Sequence, residues 1–346
     1  REMAQRSMVL LKNENQTLPI NKSVKTIAVI GPMADNQRDL IGSWSAAGDW
    51  SKSVTLLQGL KNKLPNANII YAKGAEIDGE NKSMFAEAVR VAQRADVVIL
   101  ALGEAYWMTG EAASKVNIGL PGVQEDLAKE IHKLNKPTVA VLMNGRPLTI
   151  NWLDENIAAI LETWFLGTTA GNAIADVLVG DYNPSGKLPM TFPRHVGQIP
   201  IHYNMKNTGR PFEADNKYTS KYLDISNDPL YPFGYGLSYT TFDYGAINLS
   251  SNLMTSTDTI KVKIEVRNTG EFGGEEVIQL YLKDKVASVS RPVKELKAFK
   301  KIYLDAGESK SVTFTITNDE LSFYRIDMSY GSEPGDFILF IGGNSV

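Results

Sequence analysis

The chain has no cysteine among its 346 residues, which excludes disulfides, thiol catalysis and cysteine-based zinc sites. Histidine is scarce too: His132, His195 and His202 are all there is, and they show no metal-ligand spacing. Neither a metal nor a cofactor is expected. The net charge of −3 leaves no electrostatic case for nucleic acid or an anionic membrane as a partner. No apolar run approaches the ~20 residues needed to cross a bilayer. Gly31-Pro32 follows an apolar run but lacks the G-x-G-x-x-G spacing; no G-x-x-x-x-G-K-[ST] loop and no G-x-S-x-G elbow occur either. Internal repeats and low-complexity tracts are also missing. Arg1 to Leu11 spaces its apolar residues as a helix would, yet begins with no cap, no initiator methionine and no secretory h-region. The expectation is a chain cut from something longer.

What is present describes an ordinary globular protein, with 43% hydrophobic and 22% charged residues. Its length is comfortable for two domains. Apolar runs at Thr26–Gly31, Asn68–Tyr71, Ala95–Gly103, Pro137–Met143 and Ala158–Leu161 read as strands. Helical patterns alternate with them at Leu56–Leu64, Met84–Arg94, Val123–Leu134 and Ala170–Val179. Strands and helices alternating at this spacing predict an α/β fold, a mainly parallel sheet sandwiched between helices.

From about 180 to 244 the periodicity fades into Pro, Gly, Tyr and Asn, which reads as an aromatic-rich connector packed as a belt. After Tyr244 the pattern changes to period two. Ile260-Lys-Val-Lys-Ile-Glu-Val-Arg267 alternates cleanly, and shorter runs at Val277–Leu282, Phe299–Leu304, Val312–Ile316 and Phe337–Ile341 follow. Short strands at this spacing predict a β-sandwich of ~100 residues, of immunoglobulin or fibronectin type III size. The expected division is residues 1–240, connector included, and residues 245–346.

Chemistry centres on the loop after Ala95–Gly103. Ligands of open α/β sheets gather at the carboxyl ends of strands, and this loop, Glu104-Ala-Tyr-Trp-Met-Thr-Gly-Glu111, carries two acids beside two rings. Acids beside aromatics suit sugar chemistry. Glu111 is the candidate proton donor: Gly110, Ala112 and Ala113 leave it open, and Trp107 is placed to screen it from water. The plain alternative is a solvated loop glutamate. Glu104 is the possible second acid of a carboxylate pair, or else only a partner for local backbone donors. Trp44, in the long loop 32–53, offers a flat ring for a sugar face; it serves equally as a domain-interface tryptophan.

Several segments, in order, resemble one family. They are Arg6-Ser-Met-Val-Leu-Leu-Lys-Asn-Glu14, Ala28-Val-Ile-Gly-Pro32, Gly42-Ser-Trp44, Gly103-Glu104 with Gly110-Glu-Ala-Ala-Ser114, Asn183-Pro-Ser-Gly-Lys-Leu-Pro-Met-Thr-Phe-Pro-Arg194 and Tyr231-Pro-Phe-Gly-Tyr-Gly-Leu-Ser-Tyr-Thr240. The chain is similar to the glycoside hydrolase family 3 β-glucosidases, of the periplasmic bacterial type. The resemblance implies an α/β sandwich followed by a fibronectin type III-like domain, with an amino-terminal barrel missing. It implies that Glu111 is the general acid/base and that Trp44 flanks the leaving-group side of a β-glucoside. The nucleophile, an aspartate, would be on the barrel. Gly48-Asp49-Trp50 imitates its setting, but no apolar strand precedes it. Implied partners are β-glucoside oligosaccharides and the barrel; a homodimer is left open, and the implied location is periplasmic or secreted. Other exo-glycosidases of the family such as β-xylosidases, and a non-catalytic carbohydrate-binding module, are the alternatives.

Overall fold

A computed structural model describes residues 1–346. The chain forms two compact units: residues 1–187 with 192–199 and 236–239, and residues 188–191 with 200–235 and 240–346. The division is therefore not a single cut near residue 240. Residues 200–235 fold with the second unit because Tyr203 stacks on Phe233 at 4.3 Å and meets Tyr281 edge-on at 5.8 Å. Residues 236–239 fold with the first, where the Leu237 amide donates to the Leu10 carbonyl and the Tyr239 hydroxyl to that of Val177.

The first unit is a six-stranded sheet. Its strands are β1 (Val9–Asn13), β2 (Thr26–Ile30), β3 (Asn68–Ala72), β4 (Val97–Gly103), β5 (Thr138–Met143) and β6 (Ala159–Glu162), in the order β1-β6-β5-β4-β2-β3. All neighbours are parallel except β1 and β6. The helices are α1 (Glu2–Ser7), α2 (Leu56–Lys63), α3 (Phe85–Gln93), α4 (Gln124–His132), α5 (Asn151–Asn156) and α6 (Ala170–Leu178). Every residue of β4 and β5 is buried, as a parallel strand covered on both faces requires. Ile27, Val29, Ile99, Ala101, Val141 and Leu161 pack on one face with Leu56, Leu60, Ala173 and Ile174 of α2 and α6. The alternate positions Ala28, Ile30, Val98, Leu100 and Leu142 are just as buried and point to the opposite face.

The amino-terminal helix expected through Leu11 is shorter than its spacing predicted. It stops at Ser7, and Val9–Asn13 is an edge strand antiparallel to β6. Met8, Val9, Leu10 and Leu11 are consecutive and all but fully buried. A surface helix buries one stripe, not four positions in a row, whereas a strand covered on both faces buries them all. At the contact of α2 with α6, a Cβ on Gly59 would lie 2.1 Å from the Gly171 carbonyl oxygen. Only glycine admits that approach.

The second unit is a β-sandwich. Its strands are β7 (Phe242–Tyr244), β8 (Asn248–Leu249), β9 (Ile260–Asn268), β10 (Gly274–Asp284), β11 (Glu295–Leu304), β12 (Ser309–Ile316), β13 (Phe323–Tyr324), β14 (Tyr330–Gly331) and β15 (Phe337–Gly342). One sheet runs β11-β10-β15 and the other β12-β9-β7, with β8 also on β9, and every pairing is antiparallel. The alternation of β9 puts Val262, Ile264 and Val266 inside against Ile278, Leu280, Leu282 and Phe314, while Lys261, Lys263, Glu265 and Arg267 face water.

Candidate active site

The sheet order makes β2 the topological switch. From β2 the chain moves outward to β3, then crosses back to lay β4 on the other side of β2. The loops leaving β2 and β4 therefore stand side by side at the carboxyl edge of the switch point, where sheets of this type take their ligands. These are the loops that carry Trp44 and Glu111.

The two loops are tied together near their roots. Asp39, buried, accepts the Tyr106 amide at 2.8 Å, and the Arg38 guanidinium lies 3.5 Å over the Tyr106 ring. They meet again near their tips. A Cβ on Gly110 would lie 2.7 Å from the Ser43 hydroxyl and 3.4 Å from Trp44 Nε1. Gly110 has φ +101, which suits glycine, and the next-but-one residue, Ala112, also has positive φ, +59. Glu111 sits between them with its side chain exposed. Trp44 is 75% exposed. The acid and the ring therefore lie on touching loops at the carboxyl edge of the switch point, both exposed. Trp107 was expected to screen Glu111 from water, but Glu111 is exposed, and the Trp107 ring is itself 59% exposed.

Glu104 behaves differently. It is fully buried and held by Arg146 Nε at 3.2 Å and Lys115 Nζ at 3.4 Å. It cannot share an open cleft with Glu111, so a two-carboxylate hydrolase built from this pair is ruled out. Asp49 is occupied locally, accepting the Ser51 amide and hydroxyl and so capping a short 3₁₀ turn. His195 caps another through Nδ1, and His132 packs edge-on against Trp152 at 5.7 Å.

Near Glu104 lies a second buried acid that the sequence did not point to. Glu162, at the end of β6, is buried and accepts the Trp164 amide at 2.9 Å and the Asn144 side-chain amide at 3.1 Å. Burial pushes its carboxyl up to about 8, and the nearby Glu104 charge pushes the same way. Arg146 was not expected at the site either. The readable signal was Asn144-Gly-Arg-Pro147, a cation just beyond the carboxyl end of β5 and so beside an acid just beyond the end of β4.

Residues 8–239 match the glycosyl hydrolase family 3 C-terminal domain, and residues 276–345 match the fibronectin type III-like domain. A periplasmic beta-glucosidase of Salmonella typhimurium is 52% identical over all of this chain and 48% of its own length. A beta-xylosidase of Formosa agariphila is 44% identical over 99% of this chain and 48% of its own. The solved beta-glucosidase from Listeria innocua in complex with glucose superposes with a TM-score of 0.94 at 42% identity, covering 99% of this chain and 47% of that one. The chain spans about half the length of these relatives. With two thirds of its residues inside the one domain and the remainder of the fold following the same relatives, the chain belongs to glycosyl hydrolase family 3, as its C-terminal domain joined to a fibronectin type III-like domain.

Proposed function

We propose that this chain is the carboxyl-terminal part of a retaining, exo-acting β-glucosidase that removes terminal non-reducing β-D-glucosyl residues. Glu111 is its general acid/base, and Trp44 is a wall of the site on the leaving-group side. The observation that carries this reading is an exposed acid and an exposed ring on two touching loops at the carboxyl edge of the switch point. A core role for either residue would have required burial.

In this mechanism Glu111 donates its proton to the glycosidic oxygen as the bond to the anomeric carbon breaks, while a carboxylate from the other face forms the glycosyl-enzyme. Glu111, now ionised, then takes a proton from the water that releases the sugar. The nucleophile and the groups gripping the glucosyl hydroxyls are assigned to the amino-terminal barrel of the same protein. The half-length match to the relatives supports that assignment. The relative named as periplasmic supports a periplasmic or secreted location. A β-xylosidase is the second reading, favoured by the Formosa relative; kcat/KM for xylosides against glucosides in the full-length protein decides between them.

The test is Glu111→Ala in the full-length protein. Hydrolysis of an alkyl β-glucoside should fall by about 10²–10⁴-fold. The kcat/KM for a 2,4-dinitrophenyl β-glucoside, whose leaving group needs no proton, should fall far less. Added azide should restore turnover of that substrate and yield a β-glucosyl azide. Equal losses on both substrates, or no loss, would remove Glu111 from the mechanism.

A further inference from the structure

Arg146 lies in the turn after β5, and its side chain is 19% exposed. Its Nε meets the two carboxylate oxygens of Glu104 at 3.2 and 3.3 Å. Its Nη2 donates to the Ala113 carbonyl at 2.9 Å and also to the Met108 carbonyl. One guanidinium therefore grips the loop after β4 at three points, residues 104, 108 and 113. A buried carboxylate, itself braced by Lys115, fixes the direction of the fork. Charge-assisted bonds in such planar, forked arrangements are the strong ones.

Between the two gripped carbonyls the chain doubles back through Gly110, Glu111 and Ala112. Alanine in the left-handed region costs on the order of 1 kcal/mol or more, and such a conformation persists only where its surroundings impose it. Glu111, Ala112 and Ser114 are all exposed, so this bend has little core of its own to impose it. The geometry points to Arg146 as the positioning residue of the proton donor: by closing the bend at Met108 and Ala113 it holds the Glu111 carboxyl where the glycosidic oxygen arrives. Glu104 acts through Arg146, as the anchor that orients the fork. This inference rests on the reading of Glu111 as the acid/base. Lysine cannot replace arginine fully, since an ammonium lacks the fixed fork that reaches carboxylate and carbonyls together.

The experiment has two arms. In the chain described here, Arg146→Ala should raise amide hydrogen exchange across 107–113 by about tenfold or more while the sheet strands keep their protection. In the full-length protein, Arg146→Ala should lower kcat/KM for an alkyl β-glucoside by about a hundredfold. The loss for the dinitrophenyl β-glucoside should be under about tenfold, because the first step there needs no proton. Arg146→Lys should recover part of the difference. Unchanged exchange in 107–113, or equal losses on the two substrates, would overturn the assignment. If Arg146→Ala does not fold, Glu104→Gln is read by the same two measurements, with the same outcomes deciding. Glu111→Ala measured alongside separates the two claims. If it shows the leaving-group dependence and Arg146→Ala does not, only the positioning role falls. If Glu111→Ala shows none, the acid/base reading itself falls.

Discussion

Raising the pH should destabilise the first unit through a single buried side chain, Glu162. Burial pushes its carboxyl from an ordinary 4.5 up to about 8, with Glu104 adding to the effect and the amides of Trp164 and Asn144 opposing it. A folded-state pKa above the unfolded one means the folded protein holds a proton that the unfolded chain has released. The resulting stability is complete below pH 4.5 and is lost as pH rises through 8. From pH 5 to 8, at about 1.4 kcal/mol for each pH unit, the loss is on the order of 4 kcal/mol. Glu162→Gln keeps the shape and stays neutral, so its stability should lack this slope. The variant carries a fixed penalty, since its amide nitrogen turns a donor toward Asn144 Nδ2 or the Trp164 amide. That offset does not vary with pH, and the slope is the readout. Urea unfolding followed by tryptophan fluorescence suits the purpose, because all five tryptophans lie in the first unit. The stability of the wild-type chain minus that of the variant should fall by about 4 kcal/mol between pH 5 and 8. A difference constant to within about 1 kcal/mol over that range would show Glu162 ionised in both states and refute the reasoning.

Three further outcomes are expected. Asp176 is buried, and although burial opposes its charge, hydrogen bonds from Arg1 and Lys63 hold its carboxyl below the usual range. Its stabilisation is present above pH 4 and lost as the pH falls through the lowered folded-state value, so Asp176→Asn should cost about 2–4 kcal/mol at pH 7 and progressively less as the pH drops below 4, by urea unfolding. Gly59→Ala should destabilise by about 1–3 kcal/mol despite alanine's better helix propensity, because the new methyl meets the Gly171 carbonyl; a higher urea midpoint would disprove the close packing of α2 on α6. Trp44→Ala should leave the stability of this chain unchanged to within about 0.5 kcal/mol, yet raise KM more than it lowers kcat in the full-length protein. A loss of stability with KM unmoved would make Trp44 a packing residue.

The fold was readable wherever burial is periodic. The clean alternation of Ile260–Arg267 admits one arrangement, and β9 has it; the uncharged run Val97–Leu102 has no period and reads as a strand from its short length and closing glycine, and β4 is that strand. The amino terminus was not readable, because Met3, Met8, Val9 and Leu10 satisfy a helical spacing and a strand alike. What decides there is the free edge of β6, a partner more than 140 residues away whose hydrogen bonds capture Val9–Asn13. The 200–235 segment posed a similar difficulty. Its allegiance rests on ring contacts with Tyr281 and on Gln279, which donates to the Gly234 carbonyl at 3.1 Å, and no local pattern announces a contact of that range.

At the site the asymmetry runs deeper. The two exposed candidates, Glu111 and Trp44, are singled out by the family resemblance, because a loop glutamate and a loop tryptophan each have an ordinary structural explanation. The buried residues of the site are not legible in that way, since Glu104 reads as a second catalytic candidate until its burial is known. Burial changes what a carboxylate is for. An exposed acid can exchange a proton with a ligand, whereas one with no contact with water must be neutralised or paired. The site adopts both solutions at the ends of strands of one sheet: Glu104 is paired with Arg146 and Lys115, and Glu162, with no cation of its own, keeps its proton. Two ionised carboxylates buried this near each other would repel through a medium of low dielectric. A protonated Glu162 adds no such repulsion, and Glu104 anchors the Arg146 fork that reaches the carbonyls on either side of Glu111.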